Sequence, residues 1–160
     1  MPVDTEIRLA DGDHVVQFYG HDADLVDVVA SYLSAAVLDG DAVIVIATPE
    51  HRAAFEAAMA AAGVDAELAA AGGRRIVLDA ADTLARFMTD DVPDPAAFDA
   101  VVGGLVRDAA SGGPVRAYGE MVALLWDAGN VTGARSRLSA CGTLWASRYR
   151  SPSSVRIPLR

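Results

Sequence analysis

The residues able to do chemistry in this 160-residue chain stand where apolar runs stop. Tyr19-Gly20-His21-Asp22 closes the run that begins at His14, Thr48 follows Ala42 to Ala47, Asp79 follows Arg75 to Leu78, and Tyr118-Gly119-Glu120 ends the run from Val115. His14, Tyr19, His21, Asp22, Thr48, Asp79, Tyr118 and Glu120 are therefore the candidate ligand-binding residues. His21 and Glu120 make an acid/base pair if their strand ends adjoin, because a carboxylate orients an imidazole for proton transfer. No nucleophile stands beside them, since Ser31 and Ser34 fall inside a helical pattern. No catalytic residue is assigned, and the chain is expected not to be an enzyme. His14, His21 and His51 fall at a strand start, in a loop and in a helix's first turn. That distribution has no ligand spacing, so neither a metal nor another cofactor is expected. The simpler role of Asp22, Thr48 and Asp79 is to cap the helices that follow, which is compatible with ligand contact. Tyr118 and Trp126 read as core or crevice wall.

Charge narrows the chemistry further. The chain holds 22 acids, 13 basic residues and a net charge of −9, and every basic residue is arginine. Without lysine there is neither Schiff-base catalysis nor an ordinary Walker-A phosphate loop. The turn Gly20-His21-Asp22-Ala23-Asp24 occupies a phosphate loop's place but puts two carboxylates where a phosphate needs the positive end of a helix dipole. Residues 1–132 set seven arginines against all 22 acids, a charge of −15, while residues 133–160 carry six arginines and no acid. A body that acidic repels nucleic acid and anionic membrane, so neither is expected as a partner. One cysteine, Cys141, and no long apolar segment suit a reducing, cytoplasmic setting.

These residues need elements to position them, and the pattern supplies strands alternating with helices. His14 to Tyr19 reads as a strand, and Leu25, Val28, Val29, Tyr32, Leu33 and Val37 recur at helical spacing up to the stop at Asp39-Gly40. Ala42 to Ala47 is a continuous apolar run suited to a parallel strand covered on both faces. Thr48-Pro49 opens a helix from Glu50 to Ala62. Arg75 to Leu78 is the next strand, Asp79 caps a helix through Leu84, Phe87 and Met88, and Asp94-Pro95 caps another. That helix carries Phe98, Val101, Val102, Leu105 and Val106 as one apolar stripe. Val115 to Tyr118 is a further strand, and Met121 to Asp127 a short helix. The expected fold is α/β, a mostly parallel sheet with helices on both faces, whose ligand crevice lies at the carboxyl ends of the strands.

The strings GDHVVQFY, DADLVDVVASYL, DAVIVIATPEHRAAFEAAM, RRIVLDAADTLARFM and GGPVRAYGEMVALLWDAGN, in this order over residues 12–132, resemble the MEDS domain, the methanogen/methylotroph DcmR sensory domain. The resemblance implies a RecA-like three-layer sandwich whose nucleotide site has degenerated. It also implies a sensory input module for histidine kinases or transcriptional regulators, responding to small, often hydrocarbon-derived molecules. It carries over no catalytic residue, although His14, Tyr19, His21 and Glu120 fall on its motif positions.

After Asn130 the likeness stops. A family member continues with a helix similar to LExLWNxL and a final strand; here the text is acid-free and holds six of the nine serines. Joining the last base of each codon to the first two of the next, from Ala140 to Ala146, permits Leu-Trp-Asn-Ala-Leu-Gly. A one-base slip near Gly133 is therefore expected, giving a sensory domain over 1–132 and an atypical, poorly ordered basic tail over 133–160. A lost strand opens a sheet edge and favours a homo-oligomer or low stability. The plainer alternative is a natural tail that rests on the acidic body. The expected function is a non-enzymatic sensory domain that binds a small organic ligand and signals to a kinase or transcriptional regulator. A RecA-like nucleotide binder would instead bind ATP with magnesium, and a pure protein-interaction module would have a closed crevice.

Overall fold

The computed structural model describes residues 21–127 apart from 66, 68–71 and 73, together with residue 129. The expected strand over 14–19 and the tail over 133–160 lie outside the described residues. Helix α1 (Asp22–Asp39) ends at Gly40, whose left-handed backbone (φ 75°) is the conformation that favours glycine. Gly40 N–H donates to the Val37 carbonyl and Asp41 N–H to that of Ala36, which closes the last turn as a Schellman motif. The chain thus turns straight into strand β1 (Ala42–Ala47), every residue of which is buried.

β1 is the centre of a three-stranded parallel sheet among the described residues. Strand β2 (Arg75–Asp79) lies on one side and β5 (Val115–Gly119) on the other, with Val45 facing Val77 and Tyr118. Its continuous apolar run serves two cores at once. Val43, Val45 and Ala47 pack against α1 and α2 (Pro49–Ala61), while Ala42, Ile44 and Ile46 pack against the elements between β2 and β5. Burying both faces is the reason this strand does not alternate.

The segment after β2 differs from the sequence expectation. Helix α3 (Ala80–Ala85) stops before Phe87 and Met88, which the pattern had placed on it. Instead Met88–Thr89 (β3) and Val92–Pro93 (β4) form a hairpin, with Met88 opposite Pro93. Its two central residues, Asp90 and Asp91, both have positive φ (48° and 61°), the signature of a type I′ turn. Phe87 turns inward and meets Phe98 edge-on at 5.2 Å. The next helix starts at α4 (Pro95–Phe98), passes through a π-helical turn at Asp99–Gly103 and ends as α5 (Gly104–Ala110). Its buried stripe is Phe98, Val102, Val106 and Ala110. Arg107 reaches back to Asp99 across Gly103, where a Cβ would come within 2.5 Å of the Asp99 carboxylate. After β5, helix α6 (Met121–Asp127) returns to the α3 side, where Leu125 packs with Leu84.

Candidate functional site

Strand order sets the three strand ends side by side: Asp79 after β2, Thr48 after β1 and Glu120 after β5. The helix leaving β1 covers one face of the sheet and the helix leaving β5 the other. The connections therefore diverge between β1 and β5, the place where an open parallel sheet forms a crevice. Thr48 and Glu120 occupy that place.

Glu120 is fixed by its backbone first. Its N–H donates to the Ile46 carbonyl at 3.1 Å, extending the ladder one residue past β5, and its carbonyl accepts from Ala123 N–H at 3.0 Å as α6 begins. Side chains on a strand alternate, so Arg116, Tyr118 and Glu120 share the face covered by α1 and α2. The Glu120 side chain is 4% exposed. A carboxylate that deep needs partners, and three converge on it. Thr48 N–H donates to Oε1, while the Tyr118 hydroxyl donates to Oε2 at 3.0 Å. His51 Nδ1 lies 2.5 Å from the same Oε2.

His51 reaches Glu120 because of how α2 begins. Thr48 is the N-cap, Pro49 stands at the first helical position, and Thr48 Oγ1 accepts from His51 N–H at 3.4 Å. His51 is thus at the third helical position, from which a side chain reaches back over the cap, as the glutamate of a capping box does. One turn on, Phe55 stacks on the imidazole at 5.8 Å and meets Tyr118 edge-on at 5.2 Å. An ionised carboxylate only accepts, so Nδ1 is the donor to Glu120, and Nε2 is an acceptor in the neutral imidazole and a donor in the charged one. The His51 side chain is 24% exposed, so the cluster has an outlet to solvent.

Beside it, Asp79 caps α3 by accepting from Asp82 N–H at 3.0 Å and holds Arg52 at 3.5 Å. Arg52 Nε is buried and makes no hydrogen bond. Arg52 and Phe55 also line a cleft with Leu33, Val37 and Met59 that encloses about 10 Å³, hardly the space of one water.

Four of the sequence-derived site residues, Thr48, Asp79, Tyr118 and Glu120, therefore lie at this sheet end. Tyr118, Glu120 and Thr48 bond directly; Asp79 joins through Arg52, the neighbour of His51. His21 and Asp22 are exposed at the start of α1, with His21 rather than Asp22 in the cap position and no side-chain cap bond there. The imidazole on Glu120 is that of His51, not His21; among the described residues the strand end beside β5 is that of β1. His14 and Tyr19 lie outside the described residues. His51 was weighed in the sequence only as a metal ligand; the spacing Thr48-x-x-His51 after a buried strand is the signal that places it over the cap. Among the described residues no cluster of His, Cys, Asp and Glu suits a metal ion, and no helix is long and apolar enough to cross a membrane.

A family model described as MEDS, MEthanogen/methylotroph, DcmR Sensory domain, matches residues 13–136. No curated protein and no solved structure matches the chain.

Proposed function

We infer the function from the premise that this chain belongs to the MEDS family of sensory domains. It is a non-enzymatic sensory module that binds a small organic molecule, hydrocarbon-derived by family resemblance, at the carboxyl ends of β1 and β5. It passes the change to a kinase or a transcriptional regulator. The observation that carries this reading is the buried Glu120 held by Thr48, Tyr118 and His51, with the imidazole leading from the cluster to solvent.

The adjoining cleft encloses only about 10 Å³, the closed crevice expected of a pure protein-interaction module. Ligand binding therefore requires α1 and α2 to part, and a chain that responds to no small molecule would favour that module. A molecule that binds only the parted form shifts the population toward it, and that shift is the signal. The RecA-like reading belongs here too, with the nucleotide site lost. The turn that stands in a phosphate loop's place opens α1 with Asp22 and Asp24 in its first turn, and the chain has no lysine to hold a phosphate there.

A thermal-shift panel of small alcohols, aldehydes, amines and halogenated hydrocarbons tests this directly. At least one compound is expected to raise the midpoint of the wild-type chain and to leave a His51→Asn chain unmoved. Magnesium-ATP is expected to give no heat in calorimetry. ATP binding with no response to any organic would replace this reading with the nucleotide one.

A further inference from the structure

We propose that the outer edge of β2 is a self-association surface, on which a second copy of this chain pairs antiparallel with Val77 opposite Val77. Among the described residues β2 is a terminal strand of the sheet, and all five of its residues are only half-buried. Which of its backbone groups face outward follows from the register. Val43 N–H donates to the Arg74 carbonyl at 2.7 Å while Val43 stands beside Arg75. In a parallel ladder the groups of Arg74, Ile76 and Leu78 then face β1, and those of Arg75, Val77 and Asp79 face away, the Asp79 carbonyl also accepting from the Thr83 hydroxyl. An edge of outward N–H and C=O groups is a template for another strand.

The sequence of that edge selects its occupant. A two-fold axis must pass through one self-paired residue of β2. Centring on Ile76 sets Arg75 opposite Val77 and centring on Leu78 sets Asp79 opposite Val77, leaving a charge of the strand unmatched in each case. Centring on Arg75 opposes two guanidinium groups, and centring on Asp79 opposes two carboxylates. Centring on Val77 places Arg75 of each copy opposite Asp79 of the other, on the face those side chains already share with α2, where they bond Glu56 and Arg52. Only this register matches opposite charges at both ends of the strand and puts a β-branched pair between them. Ile76 and Leu78, half-buried on the other face, extend their apolar core across the axis. The strand is self-complementary, which favours a copy of itself over an unrelated partner. The surface adjoins the ligand site, since Arg75 and Val77 line the same cleft and Asp79 holds Arg52; the mixing experiment below reads dimerisation alone.

Sedimentation velocity over a concentration series is the test, with Arg75→Glu and Asp79→Arg made as separate chains. The wild-type chain is expected to show a monomer–dimer equilibrium. Each variant alone opposes like charges twice and is expected to dimerise about tenfold or more weakly. Mixed one to one, the two variants restore both unlike pairs, so a heterodimer forms at wild-type concentrations; a chain that had merely misfolded would not recover. Val77→Pro removes the central outward N–H and abolishes the dimer without altering charge. A wild-type chain that stays monomeric throughout, or a dimer indifferent to Val77→Pro and to both charge variants, overturns the proposal.

Discussion

Strand β5 carries two charge clusters on one face, one near each end, and they are built differently. Near its start, Arg116 lies over the Tyr32 ring and bonds Asp39 through Nη2 and Asp41 through Nε at 2.9 Å. One guanidinium is matched by two carboxylates, and the cluster bolts the end of α1 and the start of β1 to β5. Just past its end, Glu120 is matched by a backbone N–H, a phenol and an imidazole. The first cluster ties one guanidinium to a buried carboxylate, Asp41, and to the half-exposed Asp39. The second includes an imidazole whose side chain is partly exposed. A polar cluster of the first kind secures the chain; under the proposed function, one of the second kind is where a ligand would be met.

That contrast is broken or sharpened by asking whether stability and ligand response separate between the two ends. The largest effect is expected from Arg116→Met, which leaves Asp41, itself 4% exposed, without its cation. Removing one member of a buried ion pair costs about 3 kcal/mol or more. Denaturant unfolding should show that loss, while any compound that shifts the wild-type midpoint still shifts the variant's. If the ligand response vanishes instead, the two clusters act as one and the contrast is void.

Glu120→Gln comes next. It keeps the size of the side chain but removes the charge toward which His51 and Thr48 N–H donate. Hydrogen bonds to charged groups are worth roughly 1.5–3 kcal/mol, so a loss of about 2 kcal/mol is expected. Here the response to ligand should fall together with stability. Tyr118→Phe removes a single neutral donor from the same carboxylate and should cost about 1 kcal/mol, read as a lower denaturation midpoint. A Tyr118→Phe chain as destabilised as Glu120→Gln would mean that the phenol, and not the carboxylate, organises this end.

Sequence text revealed the elements better than the site. The unbroken run from Ala42 to Ala47 announced a doubly covered strand because burial on both faces erases alternation. The helix stripe at Phe98, Val102 and Val106 was legible because packing demands it at each turn; its π-helical turn was not, since one residue more per turn leaves the stripe intact. The hairpin at Met88–Pro93 escaped notice because Asp90-Asp91 lacks the glycine that usually marks a type I′ turn. Thr48, Asp79, Tyr118 and Glu120 lie together at one sheet end, as their place after apolar runs implied. The partner of Glu120 was not legible, because adjacency of β1 and β5 depends on strand order, which pairing across 69 residues decides and local pattern does not.

The smallest change in stability, and the sharpest discrimination, belongs to His51→Asn. An asparagine amide at this position can stand where Nδ1–H stands and keep a donor toward Glu120, whereas it has nothing in the place of Nε2. His51 is partly exposed, so the lost packing on Phe55 is modest, and a change within about 0.5 kcal/mol is expected. The ligand-induced midpoint shift should nevertheless disappear. His51→Gln supplies the opposite control, since its longer amide reaches toward the Nε2 position and gives up the bond to Glu120. Loss of response in Asn with partial retention in Gln assigns the outward nitrogen to the ligand. Loss in Gln alone would show instead that His51 serves only to hold Glu120, and the two ends of β5 would then be structural clusters of the same kind.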